Sequence, residues 1–485
     1  MPSTQLDSPV KPVTVTKVRT PAVIRLLVLA TFVVILNETI MINAIPRLMS
    51  AMNITAQTAQ WLSTAFMLTM AAVIPITGWF LQRVSTRTAY TAAMGLFLIG
   101  TALATVAPTF EVLLGARIIQ ASGTAVMMPL LMTTLMQVVP EGNRGRVMGN
   151  VTLAISVAPA MGPTVSGVIL QFGSWRLLFA VVFPIAALIM WGGLRQLQNV
   201  GEPKFSTVDW LSVLTAAAGF GSLVYGLSGF ESGDTRTAVG FVVAGLVAIS
   251  VFVWRQLRLQ KRGTPLMDLR TLRHRTYTIA LIMMAVAFLA MIGSMILLPL
   301  YLQNVRGLTA LQTGLLVMPG GLAMGLLGPT VGRLFDRFGA RVLIVPGAIG
   351  IAVALVGFTQ VTMTMPFWLL LGLHALLMVS LAATFTPVFT LGLGSVPASL
   401  YSHGSSILST LQQVSAAIGT ALVVTLMSVR AEALKATGAS DALANLGGMR
   451  TAFIVSAALS VIVVITALML PARAATTTEH QAAHV

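Results

Sequence analysis

The chain of 485 residues has no cysteine, which excludes disulfides, thiolate metal sites and thiol nucleophiles. Charge is scarce as well: 9% of residues are charged and only 13 are acidic. Lysine is rarer still, with 5 against 24 arginines, a bias typical of GC-rich bacterial genomes. No lysine follows a glycine, so a G-x-x-x-x-G-K-[ST] phosphate loop cannot form and an ATP-driven engine on this chain is excluded. The one adjacent Glu and His, Glu479 and His480, lie in the tail, so no H-E-x-x-H zinc site exists. A channel lacks support too, because no filter-like repeat is present. These absences argue against an enzyme. What the chain does have is apolar surface: 56% hydrophobic residues and a mean hydropathy of +0.91. That composition describes an all-α polytopic membrane protein rather than a soluble domain.

Residues 1–20 are polar and proline-bearing and read as a disordered cytoplasmic tail. The apolar run that follows is too long for a cleavable signal. Runs of spanning length then recur near 22–45, 58–81, 88–107, 109–138, 146–170, 175–195, 208–229, 236–256, 276–302, 313–333, 341–361, 366–394, 404–429 and 449–471. Each approaches the roughly 20 residues needed to cross a bilayer, which predicts fourteen transmembrane helices. Of the 29 basic residues, 21 fall on the side of the N-terminus, seven on the other side, and Arg117 inside a run. That asymmetry places both termini in the cytoplasm of a bacterial inner-membrane protein. The +16 charge invites a nucleic-acid reading, but the arginines sit in short loops and form no basic face, so no nucleic-acid partner is expected.

The chain repeats. GWFLQRVSTR starts at Gly78 after the second run, and GRLFDRFGAR starts at Gly332 after the tenth. Gly78 matches Gly332, Arg83 matches Arg337, and Arg87 matches Arg341. Two related halves predict a transporter with its cavity at the repeat interface. The seventh and eighth runs, around the acidic loop Glu231–Asp234, have no counterpart and read as an insert. The expected division is a six-helix bundle over 21–200, two inserted helices over 201–260, a second six-helix bundle over 261–472, and a cytoplasmic tail over 473–485.

GRLFDRFGAR resembles the cytoplasmic signature of the major facilitator superfamily, with Gly332, Asp336, Arg337 and Arg341 in the pattern positions. In the first copy Gln82 stands where the family has Asp, and Ser85 where it has Gly. The second loop is therefore expected to hold the stronger charged latch, against Arg144 or the start of the fifth helix. VAPAMGPTVSGVIL resembles the superfamily's antiporter motif, where Gly162, Pro163 and Gly167 would allow tight packing and a bend. Ser166 replaces a usual Gly. ARIIQASGTAVMMP, with Arg117 and Gln120, resembles the fourth-helix motif whose arginine takes part in proton coupling. LNETIMINAIP (36–46) resembles the first-helix motif of the fourteen-spanner drug/proton antiporters, in a variant associated with lincosamide-type resistance. There Asn37 occupies the family's Asp position, Thr39 and Pro46 match, and Asn43 is one place off.

Glu38 is the one acidic residue deep in a spanning run, and an ionisable group there is a functional candidate by default. It lies 8 residues before Pro46, and Arg117 lies 9 after Pro108, so both come to roughly 12–14 Å below the outer edge. A direct pair, or one joined through Gln120 or water, would lower the cost of both. The bland alternative is a protonated, structural Glu38 in a helix contact. Gln303, Gln412 and the mid-membrane His374 are further cavity candidates, each with a packing alternative.

The resemblance implies proton-coupled export of amphipathic hydrophobic or cationic drugs, with no cofactor, the proton as coupling ion, and a monomer in the bilayer. Two other readings stay open: export of an endogenous lipid, siderophore or metabolite, and a non-transporting membrane sensor or scaffold.

Overall fold

The computed structural model describes residues 22–41, 44–197, 199, 207–230 and 235–472. The expected Asn43, the acidic loop 231–234 and both tails lie outside the described residues. Fifteen α-helices follow one another: α1 (Ala22–Ile40), α2 (Ile45–Met52), α3 (Ala56–Arg83), α4 (Thr86–Val106), α5 (Phe110–Val138), α6 (Arg144–Gln171), α7 (Arg176–Gln196), α8 (Trp210–Gly229), α9 (Thr235–Gln260), α10 (Arg275–Leu300), α11 (Ala310–Phe338), α12 (Arg341–Thr359), α13 (Phe367–Gly394), α14 (Tyr401–Ala436) and α15 (Asp441–Met469). Thirteen described helices are long and apolar enough to cross a membrane. The bent pair Glu141–Gly162 and Thr164–Gln171 supplies the fourteenth span; its 41° bend falls where the chain has a proline, which removes a helix hydrogen bond.

One expectation is corrected at the start of the chain. The run drawn as 22–45 breaks after Ile40, and Pro46 opens the separate short helix α2 at its N-terminal position. Proline is tolerated there because the first N–H groups of a helix have no intrahelical partner. Glu38 therefore lies in the last turn of α1, and the depth counted back from Pro46 does not apply.

Helices α1 and α3–α7 pack as one group, and α10–α15 as another. The groups meet along two seams, α6 on α11 with α13 beside it, and α3 on α14 with α5 beside it. At the first seam the sequence supplies glycines four apart on both helices, Gly145 and Gly149 facing Gly328 and Gly332. A Cβ on Gly328 would sit 2.6 Å from the Gly149 carbonyl oxygen, so backbone touches backbone. The hydrogen bonds that cross between groups include Gln82 to the Ser399 carbonyl (2.9 Å), Thr133 with Ser405 (2.8 Å), Thr152 with Thr386 (2.8 Å) and Ser406 to the Ile74 carbonyl (2.7 Å). Their first-group residues all lie within about nine residues, ~13 Å, of the end that carries Arg83, Arg87, Arg144 and Arg146. The groups are thus clasped at the arginine-rich end.

The inserted pair α8 and α9 pack on each other through glycines: a Cβ on Gly226 would lie 2.6 Å from the Val242 nitrogen. Helix α8 also packs on both α3 and α14, with Val224 against Ala71 and Ala417. The insert therefore covers one of the two seams. At its arginine-rich end Asp209 caps α8 (Ser212 N–H, 3.1 Å) and takes two bonds from Arg255, at 2.5 and 2.6 Å. The Arg255 hydrogen bond holds the Asp209 carboxyl down at about 2. A depressed carboxyl contributes stability above its unfolded value of about 3.9 and loses it as pH falls through about 2, so this pair stays closed at neutral pH.

Candidate functional site

The last turn of α1 presents two neighbouring side chains about 100° apart, and packing separates them. Asn37 faces the group interior, is fully buried, and has neither its amide nitrogen nor its oxygen hydrogen-bonded. Leaving such an amide unpaired costs about 1–3 kcal/mol. Glu38 is the more open of the two, only partly buried at its surface. It also sits at the C-terminal end of α1, where the helix dipole is negative and disfavours an anion. Compensation comes from α5, whose Arg117 and Glu38 act on each other through space.

Arg117 is 1% exposed. Its guanidinium lies over the Phe66 ring of α3, 4.1 Å from the centroid, and donates to Gln120 Oε1 at 3.0 Å. Gln120 in turn donates to Thr101 Oγ1 of α4 at 2.8 Å. Of the expected links to Glu38, two do not form: the pair makes no direct ion contact, and Gln120 spends its amide on Arg117 and Thr101. The physical reason is packing. Gln120 lies one turn on from Arg117, on the face that α4 covers, and Gly100 of α4 abuts its backbone, 2.7 Å from where a Cβ would stand. Phe66 and Thr101 were not legible as partners, because nothing in their local sequence marks them as facing a charge.

Against the α1 turn stands α6. A Cβ on Gly162 would lie 2.7 Å from Thr39 Cβ, one residue from Glu38. Ser166, small enough to stand in for the usual Gly, is buried, whereas a Cβ on Gly167 meets nothing. Positions 162 and 166 are a helical turn apart and share a face; 167 is rotated off it. No side-chain contact is described for Pro163. We expect Gly162→Val to push the last turn of α1 away and reduce transport about tenfold, from ~1–3 kcal/mol of overpacking. Transport rate in vesicles at equal expression, with Gly167→Val as the near-neutral comparison, checks this.

The two repeat loops dock in parallel ways. Asp336 of α11 accepts from the N–H groups of Gly145 (2.8 Å) and Arg146 (2.7 Å), at the positive end of the α6 dipole. Of the two expected partners the helix start is the one used. Arg144 instead reaches the Met136 and Val139 carbonyls and Tyr401. Gln82 in the first copy bonds the loop before α14 without a charge. Gly78 abuts α14, and Gly332 abuts the Gly145 backbone. Gly339 ends α11 at φ 84°, while its counterpart Ser85 caps α4 by accepting from Thr88 N–H, so the departure from the family pattern has a local use. Arg87 donates to the Leu194 carbonyl at 2.5 Å, Arg83 lies over Trp79, Arg337 lies over Phe338, and Arg341 is exposed at the start of α12.

The second-group candidates are not gathered around Glu38. Gln303 is exposed in the π-helical turn Tyr301–Val305 that ends α10. His374 of α13 is 1% exposed and packed under Gly320 of α11. Gln412 is part-buried, eleven residues into α14.

Comparison with known proteins places this architecture. The model of the Major Facilitator Superfamily matches residues 27–420. The chain belongs to the Major Facilitator Superfamily. Among its relatives, the lincomycin resistance protein LmrB of Listeria monocytogenes is 36% identical, over 90% of this chain and 94% of its own length. The uncharacterized transporter YcnB of Bacillus subtilis is 37% identical, over 91% and 93%. The multidrug resistance protein Stp of Mycobacterium tuberculosis is 28% identical, over 84% and 75%. Two solved superfamily structures share the fold. The human organic anion transporter MFSD10 has a TM-score of 0.64 at 12% identity, covering 92% of this chain and all of its own. The proton:xylose symporter XylE has a TM-score of 0.60 at 14% identity, covering 92% and 94%. Superfamily members are transporters, not enzymes, and this one is a multi-pass membrane protein.

Proposed function

We propose that the chain exports amphipathic, hydrophobic drugs or antibiotics across a bacterial inner membrane by alternating access, coupled to proton entry at Glu38. The supporting observation is the placement of Glu38: a part-exposed carboxylate at the end opposite the clasped seams, within reach of the buried Arg117. With the arginine-rich end in the cytoplasm, as the basic-residue asymmetry favours, the described state is closed to the cytoplasm and leaves Glu38 on the outer side. The superfamily fold and the drug-resistance relatives favour the same cargo class. The domains of this reading are two six-helix bundles, 21–200 and 261–472, with the insert 201–260 between them, working as a monomer without cofactor.

A proton bound at Glu38 neutralises the carboxylate, removes its attraction to Arg117, and lowers the cost of closing the outer side over it. Deprotonation, or displacement by a cationic substrate, belongs to the inward-facing state. Asn43 and Gln412 supply cavity hydrogen-bond groups in this scheme, while Asn37 packs inside the first group. Proteoliposomes loaded with a lipophilic cationic dye test it. Dye movement should follow an imposed pH gradient and collapse with a protonophore; movement that ignores the gradient would remove the coupling.

A further inference from the structure

Helix α14 opens with Ser402–His403–Gly404–Ser405–Ser406, and the structure turns this small, polar stretch into the hub of the arginine-rich end. Ser405 and Ser406 bond α5 and α3 across the seam, and the Gly404 carbonyl accepts from Tyr277 of α10 at 2.7 Å. His403 is 3% exposed, and its Nδ1 has no hydrogen-bond partner. It is wedged against Gly78, the first residue of the repeat loop: a Cβ there would stand 2.9 Å from Nδ1. The export reading gives this imidazole no task.

A carboxylate in the loop between α9 and α10 acts on it through space. Asp268 is 2% exposed, and its charge and that of Arg270 both reach His403. Burial pushes the Asp268 carboxyl up, but the Arg270 side-chain and backbone hydrogen bonds outweigh this and hold it below the usual carboxylate range, so Asp268 is an anion. Arg270 pairs with it at 2.5 Å and is half exposed. Around His403, α3 contributes Gly78, with its Arg83 turned onto Trp79; α10 contributes Tyr277; and Tyr401 of α14 is turned to Arg144.

What holds Asp268 in place is the insert. Gln256 of α9 is fully buried and donates to Ser212 Oγ of α8 at 2.7 Å. Its Oε1 accepts from the N–H groups of Leu266 (2.8 Å) and Met267 (3.2 Å), the two residues before Asp268. Asp209 and Arg255 lock the same corner. Hydrogen bonds therefore tie the inserted hairpin to the loop that carries Asp268, and the Asp268 charge acts through space on His403 at the α3–α14 seam.

We propose that His403 is a proton-responsive bolt of this seam, and that the inserted hairpin, acting through Gln256, sets the counter-charge Asp268 that balances it. The neutral imidazole fits against Gly78 in the closed seam. An imidazolium would have an Nδ1–H without an acceptor in a closed seam, compensated only by Asp268, and opening the seam would give it water. Acidification therefore favours opening at the arginine-rich end, and Asp268 restrains that response. This gives the insert, which covers one seam and has no counterpart in the repeat, a regulatory role. The inference rests on the alternating-access reading, but not on its cargo or on Glu38.

The absence of cysteine makes the test direct. Ser402→Cys, buried in the closed state, serves as a reporter in a Glu38→Gln background, with full-length protein in lipid nanodiscs and no substrate. Maleimide labelling, normalised at each pH to the denatured protein, should rise about fourfold between pH 8 and pH 6, the limit for a single imidazole of ordinary pKa, about 6.5, once the seam opens. His403→Gln should flatten the response. Asp268→Asn and Gln256→Leu should each move it to higher pH, which a merely structural role for either residue would not do. An unchanged profile in Asp268→Asn, or a pH response retained in His403→Gln, would overturn the proposal. Failure of dye export with this response intact would sink the cargo reading alone.

Discussion

Glu38→Gln is expected to abolish the dependence of export on an imposed proton gradient, while leaving the fold and the binding of neutral substrates in place. The side chains are nearly isosteric, and among the described residues Glu38 makes no hydrogen bond or ion pair that the amide would break. What changes is charge. Glu38 lies at the negative end of the α1 dipole and exchanges charge only through space with Arg117. Removing the carboxylate removes the anion that acts on Arg117. Coupling between two sites is typically about 1–3 kcal/mol, ~5–150-fold in affinity or population. The pH-driven component of transport should therefore fall on the order of tenfold or more, and cationic substrates should lose more affinity than neutral ones. Glu38→Asp, a methylene shorter, should restore part of the response. If Gln at position 38 transports with an unchanged pH profile, Glu38 is a packing residue and the coupling lies elsewhere.

Arg117 sharpens that expectation. It is buried over Phe66 and held by Gln120, so it stays in place when Glu38 changes protonation state. A fixed cation beside a carboxylate that faces an opening is an arrangement in which binding one proton changes the local field sharply. Asn37, at the position where the resemblance leads one to look for an acid, is turned into the interior instead.

Much of the architecture was legible because a bilayer imposes a simple length rule and a charge rule. The runs drawn from hydropathy fall on α1 and α3–α15, and the matched glycines at 78 and 332 both lie at contacts between the two groups. Hydropathy could not see the break after Ile40, since Met41 to Ile45 is nearly as apolar as the helix before it. Nor could it choose between Asn37 and Glu38, whose separation depends on how α5, α6 and α7 pack around α1. The glycine pairs at 145, 149, 328 and 332 carry a visible four-residue spacing on both helices. His403 left a fainter trace: a histidine among serines and a glycine at a helix start is a small-residue contact face, which in a membrane marks a helix interface. Gln256 left none. Its role exists only because the α9–α10 loop folds back onto it.

The glycine seam carries the second large effect. Gly328→Leu should leave the transporter inserted and folded within each group but unable to close its arginine-rich end. In the closed state a Cβ at 328 would sit 2.6 Å from the Gly149 carbonyl oxygen, and the obstacle is backbone, which cannot rotate aside as a side chain would. Even Ala requires the helices to part, and Leu adds three more carbons. Overpacking at such a contact costs about 3 kcal/mol or more, which shifts a two-state equilibrium ~100-fold towards the state in which α6 and α11 are separated. Asp336 would lose its bonds to Gly145 and Arg146 in the same movement, because those N–H groups sit on the strip of α6 that must move. Net transport should therefore be lost, with Ala intermediate. Labelling of Ser402→Cys should become high and independent of pH, since the bolt no longer has a closed seam to secure. Wild-type transport in Gly328→Leu would mean that α6 and α11 never approach this closely during the cycle, and that the two groups are held together by the α3–α14 seam alone.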